Sequence, residues 1–125
     1  MRKIMKFGFF GNNPTFAVNE LSNLKRDVPH NMEQNILYYL NGGYQVALIL
    51  GIAQDFLDPN RRIIGPPNIW TDGTWAWTSD VLYYVEQYHI QLPDDFLLHM
   101  AQNNWQCPRL DSIDDLELDD ICPCP

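Results

Sequence analysis

The segment "IWTDGTWAWTSD", residues 69–80, sets three of the chain's four tryptophans around one Asp-Gly pair. Asp72-Gly73 is a favoured pair for a two-residue β-hairpin, because both central positions of a type I′ turn need positive φ. With that loop, Thr71 stands opposite Thr74 and Trp70 opposite Trp75, and Trp77 follows Trp75 on the same side of the pleat. All three indoles then share one face, while Ile69 and Ala76 take the other. Each indole buries on the order of 200 Å² when covered. A chain built this way must therefore supply a second layer above the hairpin.

The residues that follow supply it. Thr78-Ser79-Asp80 is an N-cap cluster, and Val81, Leu82, Val85 and Tyr88 form one stripe of an amphipathic helix. Pro93 opens a further helix with Asp94 and Asp95 in its first turn, and Phe96, Leu97, Met100 and Ala101 carry its apolar side. Upstream, Asn13-Pro14 reads as an N-cap with proline at the first helical position. Ala17, Leu21 and Leu24 recur at helical spacing up to Lys25-Arg26. A second helix is expected from a cap at Asn31, with Gln34 completing a capping box. Met32, Ile36, Tyr39 and Leu40 share its face, and Asn41-Gly42-Gly43 ends it.

Between these pairs of helices, "YQVALILGIAQDF" is a continuous apolar run that reads as a central strand buried on both faces. After the turn Asp58-Pro59-Asn60, "RRIIG" is a short strand stopped by Pro66-Pro67. The fold expected is α+β: a small antiparallel β-sheet, a meander with the Asp-Gly hairpin, packed against four helices. At 125 residues with 46% hydrophobic content, the chain can bury one core. Residues 1–106 are expected to form a single domain and 107–125 an acidic C-terminal tail. "NILYYLNGG" and "DVLYYVEQY" echo each other over too few positions to mark a structural repeat.

The N-terminal apolar patch at Phe7, Phe9 and Phe10 ends at Gly11-Asn12-Asn13-Pro14, too short for a signal-peptide core. No stretch approaches the roughly 18 apolar residues of a membrane span, so a cytoplasmic location is expected. Cys107, Cys122 and Cys124 are odd in number and fit no zinc spacing; reduced thiols are expected, with no metal and no cofactor.

Charge narrows the partners. From Asp27 onward fifteen acids face only Arg61, Arg62 and Arg109. Such a field disfavours nucleic acid and anionic membrane and steers basic proteins inward. Its densest part, "RLDSIDDLELDDICPCP", alternates acids with Leu110, Ile113, Leu116, Leu118 and Ile121. It reads either as a solvated end or as an acidic strip with apolar anchors.

Catalytic motifs are missing: there is no dinucleotide or phosphate loop, no nucleophile elbow, and no zincin or deaminase pattern. His30, His89 and His99 remain. His89 suits a helix C-terminus, and His99 suits the margin of a core. The chain is therefore expected not to be an enzyme. A small enzyme using His89 or His99 with an acid is one alternative, and a peptide- or sugar-binding domain using the Trp cluster is another.

Within "TDGTWAWTSDVLYYVEQYHIQLPDDFLLHM", residues 71–100, the D-G-x-W-x-W, D-x-x-Y-Y-V and L-P-x-x-F arrangement resembles small bacterial immunity proteins encoded beside polymorphic toxins, including contact-dependent growth inhibition systems. The resemblance implies an immunity protein that neutralises the C-terminal domain of a cognate toxin. It carries over no binding residue. A basic nuclease groove would be met by carboxylates and an aromatic anchor. On charge and aromatic character, the candidate partner-binding residues are Asp94, Asp95, Trp105, Asp111, Asp114, Asp115, Glu117, Asp119 and Asp120.

Overall fold

The hairpin forms around Asp72-Gly73, but its pairing is displaced by two residues. In the computed structural model, which describes residues 4–10, 14–47 and 51–108, strands β5 (Ile69–Thr71) and β6 (Trp75–Thr78) pair Trp70 with Trp77, Thr71 with Ala76 and Ile69 with Thr78. The Asp72 side chain causes the shift. Its Oδ1 accepts the N–H groups of Thr74 and Trp75 at 2.8 and 2.7 Å, while its own N–H donates to the Trp75 carbonyl. Asp72 thus leaves the centre of the turn, and Gly73, at φ 97°, takes the first central position with Thr74 behind it. A shift of two preserves the parity of the pleat. The three indoles stay on one face, as expected.

That face is interior. Trp75 stacks on Phe96 with ring centroids 4.4 Å apart and planes 7° apart, and Trp77 lies tilted between Phe96 and Tyr39. The Trp77 Nε1–H donates to the Leu40 carbonyl at 3.1 Å, so the indole's one polar group is satisfied as it is buried. Phe96 belongs to α4 (Asp94–Gln102), and Tyr39 and Leu40 belong to α2 (Glu33–Asn41). These two helices form the layer that the aromatic area demanded. Helices α1 (Pro14–Leu24) and α3 (Asp80–Tyr88) complete the core with Ala17, Leu21, Val81, Tyr84 and Val85. The opposite face of the hairpin is covered too. Ala76 packs with Ile4, flanked by Phe9 and Val46.

The α+β architecture with four helices is as expected, and three details differ. First, the sheet is mixed. Residues Met5–Phe7 form β1, which runs parallel to β6, and the strand order is β1-β6-β5-β2. The apolar N-terminal patch is therefore sheet and core, with Phe7 and Phe10 buried. Second, the run "YQVALILGIAQDF" is not one central strand. Its start is β2 (Tyr44–Ala47), at the end of the sheet, with Tyr44 and Gln45 exposed. Its end, β3 (Ala53–Gln54), pairs with β4 (Ile63–Gly65) in a separate two-stranded sheet. Leu48–Leu50 lie outside the described residues. The centre of the sheet is held by the tryptophan hairpin, whose two faces are both covered. A less apolar strand is left for the margin.

Third, the expected caps are used differently. The N-terminus of α2 is ordered by His30, whose Nδ1 accepts the Met32 N–H at 2.9 Å, and no capping box forms from Asn31 and Gln34. Ser79 Oγ donates to the Pro66 carbonyl and accepts the Asn68 N–H, tying the start of α3 to the strand connection. Asn13 lies outside the described residues. Among the described residues, no helix is long and apolar enough to cross a membrane.

Candidate functional site

Among the described residues three acids are buried, Asp55, Asp72 and Asp80. Asp72 is the hub of the first group. Its Oδ2 accepts the Tyr39 hydroxyl at 2.5 Å and lies 3.0 Å from His99 Nε2. A carboxylate only accepts, so Nε2 carries the proton in this pairing. Asn103 Nδ2 donates in turn to the Tyr39 oxygen at 3.1 Å. The hairpin tip, α2 and the end of α4 are thereby locked through one carboxylate. Burial first, and then the Asp72 carboxylate, push the Tyr39 phenol well above its ordinary pKa. The same two causes push the nearby Cys107 thiol up to about 12. Such a thiol stays protonated and is a poor nucleophile.

Asp55 organises the second group. Its Oδ1 accepts the Leu57 N–H at 2.8 Å, while Oδ2 accepts the hydroxyls of Tyr83 and Tyr88 at 2.7 and 2.6 Å. Between these two, Tyr84 donates to the Gln54 carbonyl and accepts the Phe56 N–H. Three tyrosines of α3 thus hold the β3–β4 ribbon. Burial is the first cause that raises all three phenols. Asp80, the third buried acid, accepts a hydrogen bond from Thr78 Oγ1, which also receives the Phe9 N–H at 3.1 Å. Burial raises its carboxyl pKa against the opposing hydrogen bonds.

The histidines are likewise engaged. His89 caps α3 in the left-handed region, at φ 53°, with its Nδ1 2.7 Å from Glu33 Oε1. His99 serves Asp72. The two histidines thus reach different carboxylates in different parts of the fold. Among the described residues, no three His, Cys, Asp or Glu side chains are placed to hold a metal ion.

The sequence-derived partner residues divide into three groups. Asp94 and Asp95 are exposed in the first turn of α4, where negative charge suits the helix dipole. One turn along the same helix, Leu98 is 59% exposed. Trp105, expected as an exposed anchor, is instead half-buried against the core, with its backbone at φ 61° and its N–H donating to Met100 O at 2.9 Å. The turn that closes α4 folds it inward. Asp111, Asp114, Asp115, Glu117, Asp119 and Asp120 lie outside the described residues, as do Cys122 and Cys124. Cys107 packs against the core.

Among the described residues Tyr38, on the outward side of α2, is the most exposed aromatic at 70% accessible, ahead of Phe16 and Tyr44. The helical spacing of Ile36, Tyr39 and Leu40 already turned it outward, since position 38 falls opposite that face. Two open cavities flank its ring. One, of about 340 Å³, is lined by Tyr38, Asn41, Gly42, Gln106 and Cys107. The other, of about 380 Å³, is lined by Gln34, Asn35, Tyr38, Asn104, Trp105 and Gln106. Comparison with protein-family models, with curated proteins and with solved structures finds no match to this chain.

Proposed function

We propose that this chain is a non-catalytic, cytoplasmic immunity protein that binds the C-terminal domain of a cognate toxin, a nuclease, and covers its basic substrate groove. The observation that carries this reading is the outer face of α4. Asp94 and Asp95 stand exposed in its first turn, and Leu98 is exposed one turn further on. Carboxylates beside an exposed aliphatic side chain offer a basic protein both steering and burial. The net charge of −8 draws such a partner in over a longer range. The buried acids support the same reading from the other side. Asp55, Asp72 and Asp80 are occupied in holding the fold.

The test is co-expression with the C-terminal domain of a toxin encoded next to this chain, followed by a nuclease assay on the purified components. Stoichiometric inhibition is expected. The Asp94→Lys/Asp95→Lys variant should weaken binding by at least about tenfold, with a lower association rate and a reduced salt dependence. Full nuclease activity in the presence of excess protein would rule the reading out.

A further inference from the structure

Resting on the basic-partner reading above, we propose that the groove around Tyr38, at the C-terminal end of α2, receives the guanidinium of an arginine side chain of that partner. Several independent features favour a planar cation there. Tyr38 is 70% accessible, and an aromatic face attracts a guanidinium through its quadrupole. The smaller cavity is lined by the last residue of α2, Asn41, and by its cap, Gly42. A helix end of this kind carries negative partial charge on its terminal carbonyls. The last turn of α2 contains no basic residue to offset it.

Around Tyr38, the residues Gln34, Asn35, Asn41, Asn104 and Gln106 line the two cavities, and among the described residues no charged one does. Amide oxygens accept from a guanidinium fork without the desolvation cost of a second full charge. Among the described residues, no lysine or arginine lines the groove. Arginine suits this site better than lysine, since its flat delocalised cation stacks while its edge donates.

The experiment is a two-dimensional NMR titration of the full chain with the capped tripeptide acetyl-Gly-Arg-Gly-amide, using the uncharged citrulline analogue as control. The arginine peptide should give saturable shifts centred on Tyr38, Asn41, Gly42 and Gln106 in the millimolar range. Citrulline should bind at least about threefold more weakly, Tyr38→Ala should lose a similar factor, and Tyr38→Phe should retain binding. Equal binding of citrulline, shifts centred on Asp94 and Asp95, or an unaffected Tyr38→Ala variant would each overturn the proposal. The two readings fail separately. A toxin bound through α4 and indifferent to Tyr38→Ala would remove only the arginine site. Arginine binding at Tyr38 in a protein that inhibits no nuclease would remove only the immunity role.

Discussion

Tyr39 donates its hydroxyl proton to Asp72 Oδ2 across 2.5 Å, joining the second helix to the tip of the tryptophan hairpin in the interior of the protein. The carboxylate that receives this bond also shapes the turn through Oδ1. Hairpin register and helix placement are therefore one cooperative feature, and the phenol is the joint between them.

Tyr39→Phe removes the joint with little change in volume. It leaves Asp72 one donor short and withdraws an acceptor from Asn103 Nδ2. Loss of a hydrogen bond to a buried carboxylate costs about 1–3 kcal/mol. The expected result is a lower urea midpoint with an unchanged m-value. An unaltered midpoint would show that water replaces the phenol at no cost.

Stability should fall at alkaline pH. Burial holds the phenols of Tyr39, Tyr84 and Tyr88 above the ordinary value of 10.0. In the window above that value, the unfolded chain has released these protons and the folded chain still binds them. The stabilisation is full below the unfolded pKa and is lost as pH rises through the folded values. The phenolate absorbance of these three tyrosines should therefore appear together with loss of near-ultraviolet circular dichroism. Full phenolate absorbance, from all six tyrosines of the chain, in a protein that remained folded would contradict this.

Asp80 makes the corresponding acid-side prediction. Its carboxyl pKa is raised from 3.8, so its contribution is full below that value and is lost as pH rises through the folded value. Asp80→Asn keeps an acceptor for Thr78 Oγ1 and removes the charge. Its denaturation midpoint relative to the parent should improve as pH rises above 3.8. A variant that lost ground over that range would show that the folded protein favours the ionised form.

Gly43→Ala tests the packing under the hairpin. A Cβ at this position would stand 2.6 Å from Trp77 Cζ2. The indole cannot yield easily, because Nε1 is tied to Leu40 O and the ring is wedged between Tyr39 and Phe96. Overpacking of this kind costs about 1–3 kcal/mol, to be read from thermal or urea unfolding. A stability equal to the parent's would mean that the indole has room to shift.

Cys107 should be slow to alkylate. With its thiol pushed up to about 12, the thiolate fraction at mildly alkaline pH is far below that of an unfolded chain. Iodoacetamide labelling followed by peptide mapping should show a rate at least about a hundredfold lower in native protein than in denaturant. Equal rates in the two states would refute the buried-thiol assignment.

Local pattern made a good part of this molecule legible. The spacing of Ile36, Tyr39 and Leu40, of Val81 and Val85, and of Phe96 and Met100 marked three helical faces that are buried. Asp72-Gly73 marked the reversal, and the count of apolar residues around it demanded a covering layer. These features repeat within one or two turns of a helix or along one pleat, so neighbouring residues report them directly. The exposed acids of α4 were readable for the same reason. Trp105 was not, because residue type says little about which way a closing turn throws a side chain.

What the chain order alone determined is therefore the four helices and their sidedness, the hairpin, and the presence of the three indoles on one side of it. Only the tertiary structure decided that β1 lies parallel to β6, that the apolar run after Gly43 ends at the margin of the sheet, and that Asp72, Asp55 and Asp80 are structural acids. Pairings of that kind join residues tens of positions apart, where no periodicity connects them. They are selected by the competition among strands and polar side chains for a limited interior, and that competition exists only once the layers have come together.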